Sequence, residues 1–391
     1  MKQVYLKYGK EESLLRFHPW IFSGAIHHTD DGLEEGETVR VVTGRGDFIA
    51  TGHYQQGSIA VRVLSFEDVN IDEAFWQQRI ASALSVRQAI GIADNMQNNT
   101  YRLVHGEGDL LPGLIIDVYG PTAVMQAHSI GIHLCRKAIA KSLKEVMGDR
   151  IANIYYKSET TLPFMELENG FLLGGSDENT ATENDLRFHV DWLKGQKTGF
   201  FVDQRDNRSL VERYAKGRKV LNMFCYTGGF SVYAMRGGAE LVHSVDSSEK
   251  AIELTRRNVE LNFPDDQRHE AFCEDAFKFL ERLGEGAPYD LIILDPPAFA
   301  KHRGALHNAL KGYTRLNNKA FQQIAPGGLL FTFSCSQVVS KDHFRNAVFT
   351  AAAQAHRKVR IIHQLHQPAD HPINIYHPEG EYLKGLVLYV E

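Results

Sequence analysis

The chain has 391 residues, 43% of them hydrophobic and 23% charged, which is enough for two or three domains with real cores and leaves no stretch apolar-poor enough to stay disordered. A formal net charge of −5 argues against a general polyanion binder, so any nucleic-acid contact has to come from local patches. No run approaches the ~20 apolar residues of a membrane span, "MKQVYLKYGKEESLLRF" has no apolar core of a secretory signal, and Cys135, Cys225, Cys273 and Cys335 show no CxxC spacing. These features exclude a membrane span, a disulfide framework and a zinc site, and the expectation is a soluble cytoplasmic protein with free thiols.

Residues 1–70 hold short alternating pieces, "TVRVVTG", "FIATGHY" and "SIAVRVLSF", separated by glycine-containing turns. They predict a small β-barrel. From 71 the period changes. "NIDEAFWQQRIASALSVRQAI" predicts a helix capped by Asn70 or Asp72, and "YRLVHGEG", "GLIIDVYG", "TAVMQAH", "GIHLCRKAIAKSLKEVM" and "IANIYYK" complete an α/β segment to about 185. The polar stretch 174–185, "GGSDENTATEND", reads as a linker or exposed hairpin. From 186 to 391 strands and helices alternate: "KVLNMFC", "GGFSVYAMRGG", "LVHSVDSS", "SEKAIELTRRNVELN", "HEAFCED", "AFKFLERLG", "YDLIILDPP", a helical stretch to 325, "GGLLFTFSCS" and a further helix. Such alternation predicts a doubly wound parallel sheet, whose ligands bind beyond the carboxyl ends of the strands.

The first of these strands runs into "CYTGGFS", a tight glycine turn without the GxGxxG fingerprint of a pyrophosphate site. Phe224, Tyr226, Thr227, Gly228 and Gly229 are the candidate cofactor loop. Asp246 ends the second strand, where a carboxylate accepts hydrogen bonds from ribose hydroxyls. Asp275 ends the third, where a carboxylate meets an adenine amino group. A nucleoside held without phosphates points to S-adenosylmethionine. Each element alone is also the mark of an ordinary turn or cap; the weight lies in three in succession along one sheet. Upstream, "GQKTGFFVDQRDNRSLV" starts a helix whose Gln204, Arg205 and Arg208 suit a cofactor carboxylate or an RNA phosphate, or else form a solvated face.

"LIILDPPAF" ends the fourth strand at Asp295, and Pro296 and Pro297 then fix a rigid extended turn. Carbonyls there, with the ring of Phe299, suit a planar base. "FTFSCSQ" ends the fifth strand at Cys335. Buried structural thiols are common, and that is the expectation for Cys135, Cys225 and Cys273. A thiol at a strand end beside a carboxylate is instead suited to attack C6 of a cytosine, which makes C5 nucleophilic toward a methyl donor. Cys335 and Asp295 are the candidate catalytic pair, and Asp295 also borders the cofactor.

At these residues the chain resembles the large-subunit ribosomal RNA cytosine-C5 methyltransferase I family over essentially its whole length. "KYGKEESLLRFHPWIFSGAI" looks like the start of that family's PUA domain, and "GQKTGFFVDQRDNR", "LNMFCYTGGFSV", "LDPPAF", "FSCS" and "HPEGEYLKG" look like its methyltransferase signatures. The resemblance implies an α/β protein in three parts. These are an N-terminal β-barrel PUA domain (1–70), a central α/β domain (71–185) and a Rossmann-like class I methyltransferase domain (186–391). It implies that Cys335 is the nucleophile, that Asp295 assists, and that the partner is large-subunit rRNA. Guanine-N2 methylation on the same fold and a non-catalytic RNA-binding assembly protein are the alternatives, and a homodimer is left open.

Residues 1–70 contain seven Lys/Arg against ten Asp/Glu, so this part would bind RNA by shape and by aromatics such as Trp20 or Phe22. "KHRGALHNALKGYTR" (301–315) has four cations and no acid, which makes Lys301, Arg303, Lys311 and Arg315 candidate phosphate contacts. "HRKVR" (356–360) is a second, weaker basic run. His363, His366, His371 and His377 fit no zinc spacing.

Overall fold

The computed structural model describes residues 1–284, 289–300 and 302–391. Two compact units emerge: Met1–Asp185 with Val190–Val202 and Ala369–Gly380, and Leu186–His189 with Asp203–Pro368 and Glu381–Glu391. Stretches 190–202 and 369–380 thus group with the first unit, whereas the sequence places both in the domain 186–391.

The first unit contains two sheets. Six strands between Lys2 and Ser65 form one mixed sheet around Val4, Leu6, Val39, Val41, Val61 and Val63, the inward half of the alternating pieces. Five strands between Thr100 and Leu173 form the other, with helices Glu73–Ala89 and Ile130–Met147 contributing to its core. Asp72 caps the first helix by accepting from Phe75 N, and Ser129 caps the second. The polar stretch 174–185 includes a strand, Thr180–Glu183. Trp20 is used internally: its indole N–H donates to Glu107 at 2.8 Å and its ring lies 4.3 Å from that of His377, whereas Phe22 is exposed.

The second unit is built on seven strands: β1 (Lys219–Met223), β2 (Leu241–Asp246), β3 (His269–Cys273), β4 (Tyr289–Leu294), β5 (Ile324–Ser334), β6 (Val359–His366) and β7 (Lys384–Val390). The order is β3-β2-β1-β4-β5-β7-β6, with β7 antiparallel to both neighbours. Helices α1 (Arg205–Tyr214), α2 (Gly229–Arg236), α3 (Glu249–Asn262), α4 (Ala276–Arg282), α5 (Leu306–Gln323) and α6 (Lys341–Gln354) accompany it. The order reverses between β1 and β4, which leaves a crevice at their carboxyl ends. The final strand pair was not anticipated. "GLVLYV" is a short apolar run whose type periodicity does not fix, and β6 is an edge strand with an irregular burial pattern.

The sheet core is apolar on both faces, as parallel strands require, with a polar line through it. Asn222 Nδ2 donates to Ser231 Oγ at 2.9 Å, Ser231 and Ser244 hydroxyls lie 2.7 Å apart, and Ser244 Oγ lies 2.8 Å from His269 Nε2. This chain ties β1, α2, β2 and β3 together beneath the crevice. Among the described residues no helix is long and apolar enough to cross a membrane.

Candidate active site

The loop after β1 is wound unusually tightly. Phe224, Tyr226 and Gly228 all have left-handed backbone, at φ 60°, 48° and 75°. Two non-glycine residues there cost free energy that the surroundings must hold in place. Gly228 is obligatory on two counts: its φ, and a Cβ that would stand 2.7 Å from Thr255 Cγ2. Helix α3 supplies the restraint. Thr255 Oγ1 donates to Tyr226 O at 3.0 Å and Asn258 Nδ2 to Thr227 O at 2.8 Å. Sequence reading missed both, because a Thr and an Asn inside an amphipathic helix look unremarkable.

Asp246 ends β2 beside this loop. Its Oδ2 accepts from Tyr226 N at 3.1 Å and its Oδ1 from Ser248 N at 2.9 Å. Each oxygen keeps a lone pair, and the carboxylate is rigidly aimed. Asp275 caps α4 through Oδ1, which accepts from Phe277 N and Lys278 N; it is exposed. Its neighbour Glu274 is held by Arg282 at 2.9 Å. Three loop N–H groups are already spent: Cys225 on Val245 O, Tyr226 on Asp246, and Gly228 on Cys225 O. A cradle of carboxylates with three of its loop N–H groups engaged fits a nucleoside and repels phosphate. The residues therefore fit S-adenosylmethionine, which supplies an electrophilic methyl group.

The helix with Gln204 and Arg205 at its start is not the solvated face that its charges allowed. Gln204, Arg205 and Arg208 are nearly fully buried. Gln204 Oε1 accepts from Asn207 at 2.6 Å, and the Arg208 guanidinium lies 5.9 Å over the Tyr233 ring.

Strands β4 and β5 are parallel neighbours with Leu294 opposite Thr332, so Asp295 and Cys335 leave the sheet on adjacent strands. Around Cys335 the side chains alternate. Ser334 and Ser336 are buried, at 0% and 1% exposure, while Cys335 is partly exposed. Ser334 Oγ donates to the Tyr313 hydroxyl at 2.9 Å, and Ser336 Oγ donates to Ala300 O at 2.7 Å. The two serines pin the segment to α5 and to the loop after Asp295. Burial pushes the Tyr313 hydroxyl up to about 12, with the charges of Cys335 and Asp295 adding to it, so Tyr313 remains a neutral phenol that senses both groups.

The other thiols differ from one another. Cys225 is buried against Ile252 and Ala271, and that burial pushes its thiol up to about 12. Cys135 is partly buried, and its thiol is likewise raised by burial. Cys273, expected to be buried, is exposed, because β3 is an edge strand and Cys273 is its last residue.

Pro296 is buried and Pro297 exposed. Phe299 packs on Tyr313 with ring centroids 4.6 Å apart, and sits so close to Gly312 that a Cβ there would be 2.9 Å from its ring. Arg303, Lys311 and Arg315 are exposed on the 303–305 turn and α5, with Arg315 lying 4.4 Å over the Phe277 ring. Lys301 lies outside the described residues.

Residues 170–380 match the S-adenosylmethionine-dependent methyltransferase family, and residues 4–66 match the PUA-like domain. With the sheet order and the carboxylate cradle, they define an S-adenosylmethionine-dependent methyltransferase carrying an N-terminal PUA-like domain. The ribosomal RNA large subunit methyltransferase I of Tolumonas auensis is 42% identical over 394 residues, 98% of each chain, and that of Erwinia tasmaniensis 40% identical over 396 residues, 99% of each. The chain belongs to the ribosomal RNA large subunit methyltransferase I family. The crystal structure of SMU.776 complexed with SAH shares its fold, with a TM-score of 0.86 over 100% of both chains at 22% identity.

Proposed function

We propose that the protein methylates C5 of a cytosine in large-subunit ribosomal RNA, with Cys335 as the nucleophile. The Cys335 thiolate forms a bond to C6, and the ring electrons move to C5 and N3, where the carboxylic acid of Asp295 stabilises them. C5 then takes the sulfonium methyl group, with S-adenosylhomocysteine as the leaving group, loses its proton to a base, and the returning electron pair expels the thiolate. Asp246 and Asp275 hold the ribose and adenine ends of the cofactor within the loop 224–229. Gln204 and Arg205 anchor the same side. Pro296, Pro297 and Phe299 frame the base, and Arg303, Lys311 and Arg315, with Lys301, take the flanking phosphates. The protein works in the cytoplasm, where this RNA is found.

The observation that carries this reading is the alternation at the end of β5: two buried, hydrogen-bonded serines present one partly exposed cysteine. A structural thiol would show the opposite pattern. The rRNA substrate rests on the 40% and 42% identical relatives. Large-subunit rRNA lacking the modification, incubated with the protein and methyl-labelled S-adenosylmethionine, is digested to nucleosides and separated. Label should appear in 5-methylcytidine. Label in N2-methylguanosine would overturn the cytosine assignment, and bound cofactor without any transfer would overturn catalysis.

A further inference from the structure

A buried cation stands next to the Cys335 segment. Lys384 opens β7, where its cross-strand partners are Ser334 on β5 and His366 on β6. It is only 6% exposed. Its Nζ donates to Ser336 O at 2.5 Å and to Val339 O at 2.6 Å, so two of its three N–H groups hold the loop that leaves Cys335. The strand is brought to this place by its own flanks. Gly385 pairs with Phe333, and a Cβ there would stand 2.5 Å from the Phe333 ring. On the other side, Tyr382 donates its hydroxyl to Asp203 at 2.7 Å, while Gln367 Oε1 accepts from Tyr382 N at 3.2 Å and Leu383 N at 3.4 Å.

A buried ammonium ordinarily has a carboxylate beside it. Among the described residues Lys384 has no such ion pair. The nearby acid, Glu381, pairs with Lys341. Two neutral carbonyls satisfy hydrogen bonds and leave the charge uncompensated. The group on the loop able to become an anion is Cys335.

We propose that Lys384 is the positioning residue of Cys335: its ammonium fixes the 335–339 loop and supplies the positive charge that makes the Cys335 thiolate the resting form near neutral pH. The thiol proton goes to solvent and the ammonium keeps its own. The proposal rests on the reading of Cys335 as the nucleophile, and it gives a neighbouring cation as the source of the thiol's activation. The electrostatics agree. Burial pulls Lys384 down to about 8, and the negative charge of Cys335 is the main influence holding it up, ahead of Glu381, with Lys341 opposing. The attraction between the two charges is mutual. Other titratable groups around the pair are Tyr313, a neutral phenol, Asp295 at the end of β4, and His366 across β7.

Iodoacetamide alkylation of the intact protein, followed at the Cys335 peptide by mass spectrometry across pH 5.5–10, reads the thiolate directly. The wild-type midpoint should lie at least one pH unit below the ~8.5 of a free cysteine. Lys384→Met should raise it by about one unit or more and slow alkylation at pH 7 about tenfold. Lys384→Arg, which keeps the charge, should restore most of the low midpoint. A wild-type midpoint at or above that of free cysteine would overturn the proposal whether or not the Met variant folds. So would superimposable profiles for wild type and a folded Met variant. The measurement needs no RNA. A Cys335→Ser protein that still methylates would remove the nucleophile assignment, whereas a titration indifferent to Lys384 would remove this proposal alone.

Discussion

Ser334 and Tyr313 are fully buried and joined by a 2.9 Å hydrogen bond that fastens the end of β5 to the middle of α5. The Tyr313 hydroxyl on the helix is thus one of the contacts that set where Cys335 leaves the sheet. Tyr313→Phe removes the acceptor and leaves the Ser334 hydroxyl unsatisfied in the core, which costs about 1–3 kcal/mol. The melting temperature should fall by about 2–4 °C per kcal/mol. Methyl transfer should fall while calorimetric S-adenosylmethionine affinity stays at the wild-type value. Unchanged turnover in this variant would show that the contact does not position the nucleophile.

The carboxylate of Asp246 is fixed by two backbone N–H groups, and in the proposed cofactor role it would meet a ribose without reorganising. Asp246→Ala should weaken S-adenosylmethionine binding about tenfold or more, the scale of a lost charge-assisted hydrogen bond. Isothermal calorimetry on the folded variant measures it. Wild-type affinity would reassign the cradle to loop stability alone.

Arg303 and Lys311 are exposed and make no ion pair among the described residues, whereas the Arg315 guanidinium lies over Phe277. Replacing Arg303 and Lys311 with Gln should lower RNA affinity and flatten its salt dependence by roughly 0.7–0.9 log units per lost phosphate contact. Filter binding between 50 and 300 mM salt reads the slope. A slope equal to wild type would leave the run a solvated surface.

What the sequence disclosed, and what it hid, follows from the range of each interaction. The order of strands β1–β5 was legible because each buried strand is a dense apolar run closed by a turn signal, and the strand-end residues Asp246, Asp295 and Cys335 fall where those runs stop. Thr255, Asn258, Tyr313 and Lys384 were not legible. Each acts across 21 to 48 positions of chain on a backbone group or a hydroxyl, and no local spacing encodes such a pairing. The basic helix start at Arg205 left two readings open for the same reason: charge marks a solvated face unless tertiary packing covers it, and here it does.

Buried histidines make stability depend on pH, His53 and His269 among them. Burial pulls both His53 and His269 down to about 4, from about 6.5 in the unfolded chain. The unfolded state therefore binds protons first as pH falls. Their contribution is fully present above about 6.5 and is lost progressively toward 4, by up to about 3 kcal/mol each. Melting temperatures should drop steeply over that window and be flat from 7 to 8. His269→Asn should soften the drop. A melting curve unchanged between pH 7 and 4.5 would show that both rings titrate normally.

The decisive measurement concerns Cys335. RNA with 5-fluorocytosine at the target position should trap the wild-type protein as a covalent adduct, because fluorine cannot leave C5 as a proton does. Cys335→Ser should form no adduct and transfer no methyl group, since a hydroxyl is a far poorer nucleophile at neutral pH. It should still bind S-adenosylmethionine, because the cradle at 224–229 and Asp246 is untouched. Substitutions at Cys135, Cys225 and Cys273 should leave trapping intact: the first two thiols are raised by burial, and Cys273 ends β3, two strands from β1 on the side away from β4 and β5. Peptide mapping of the adduct identifies the attacking residue. RNA attached elsewhere, or an active Cys335→Ser enzyme, would mean that the two serines of "FSCS" present a thiol that takes no part in the chemistry.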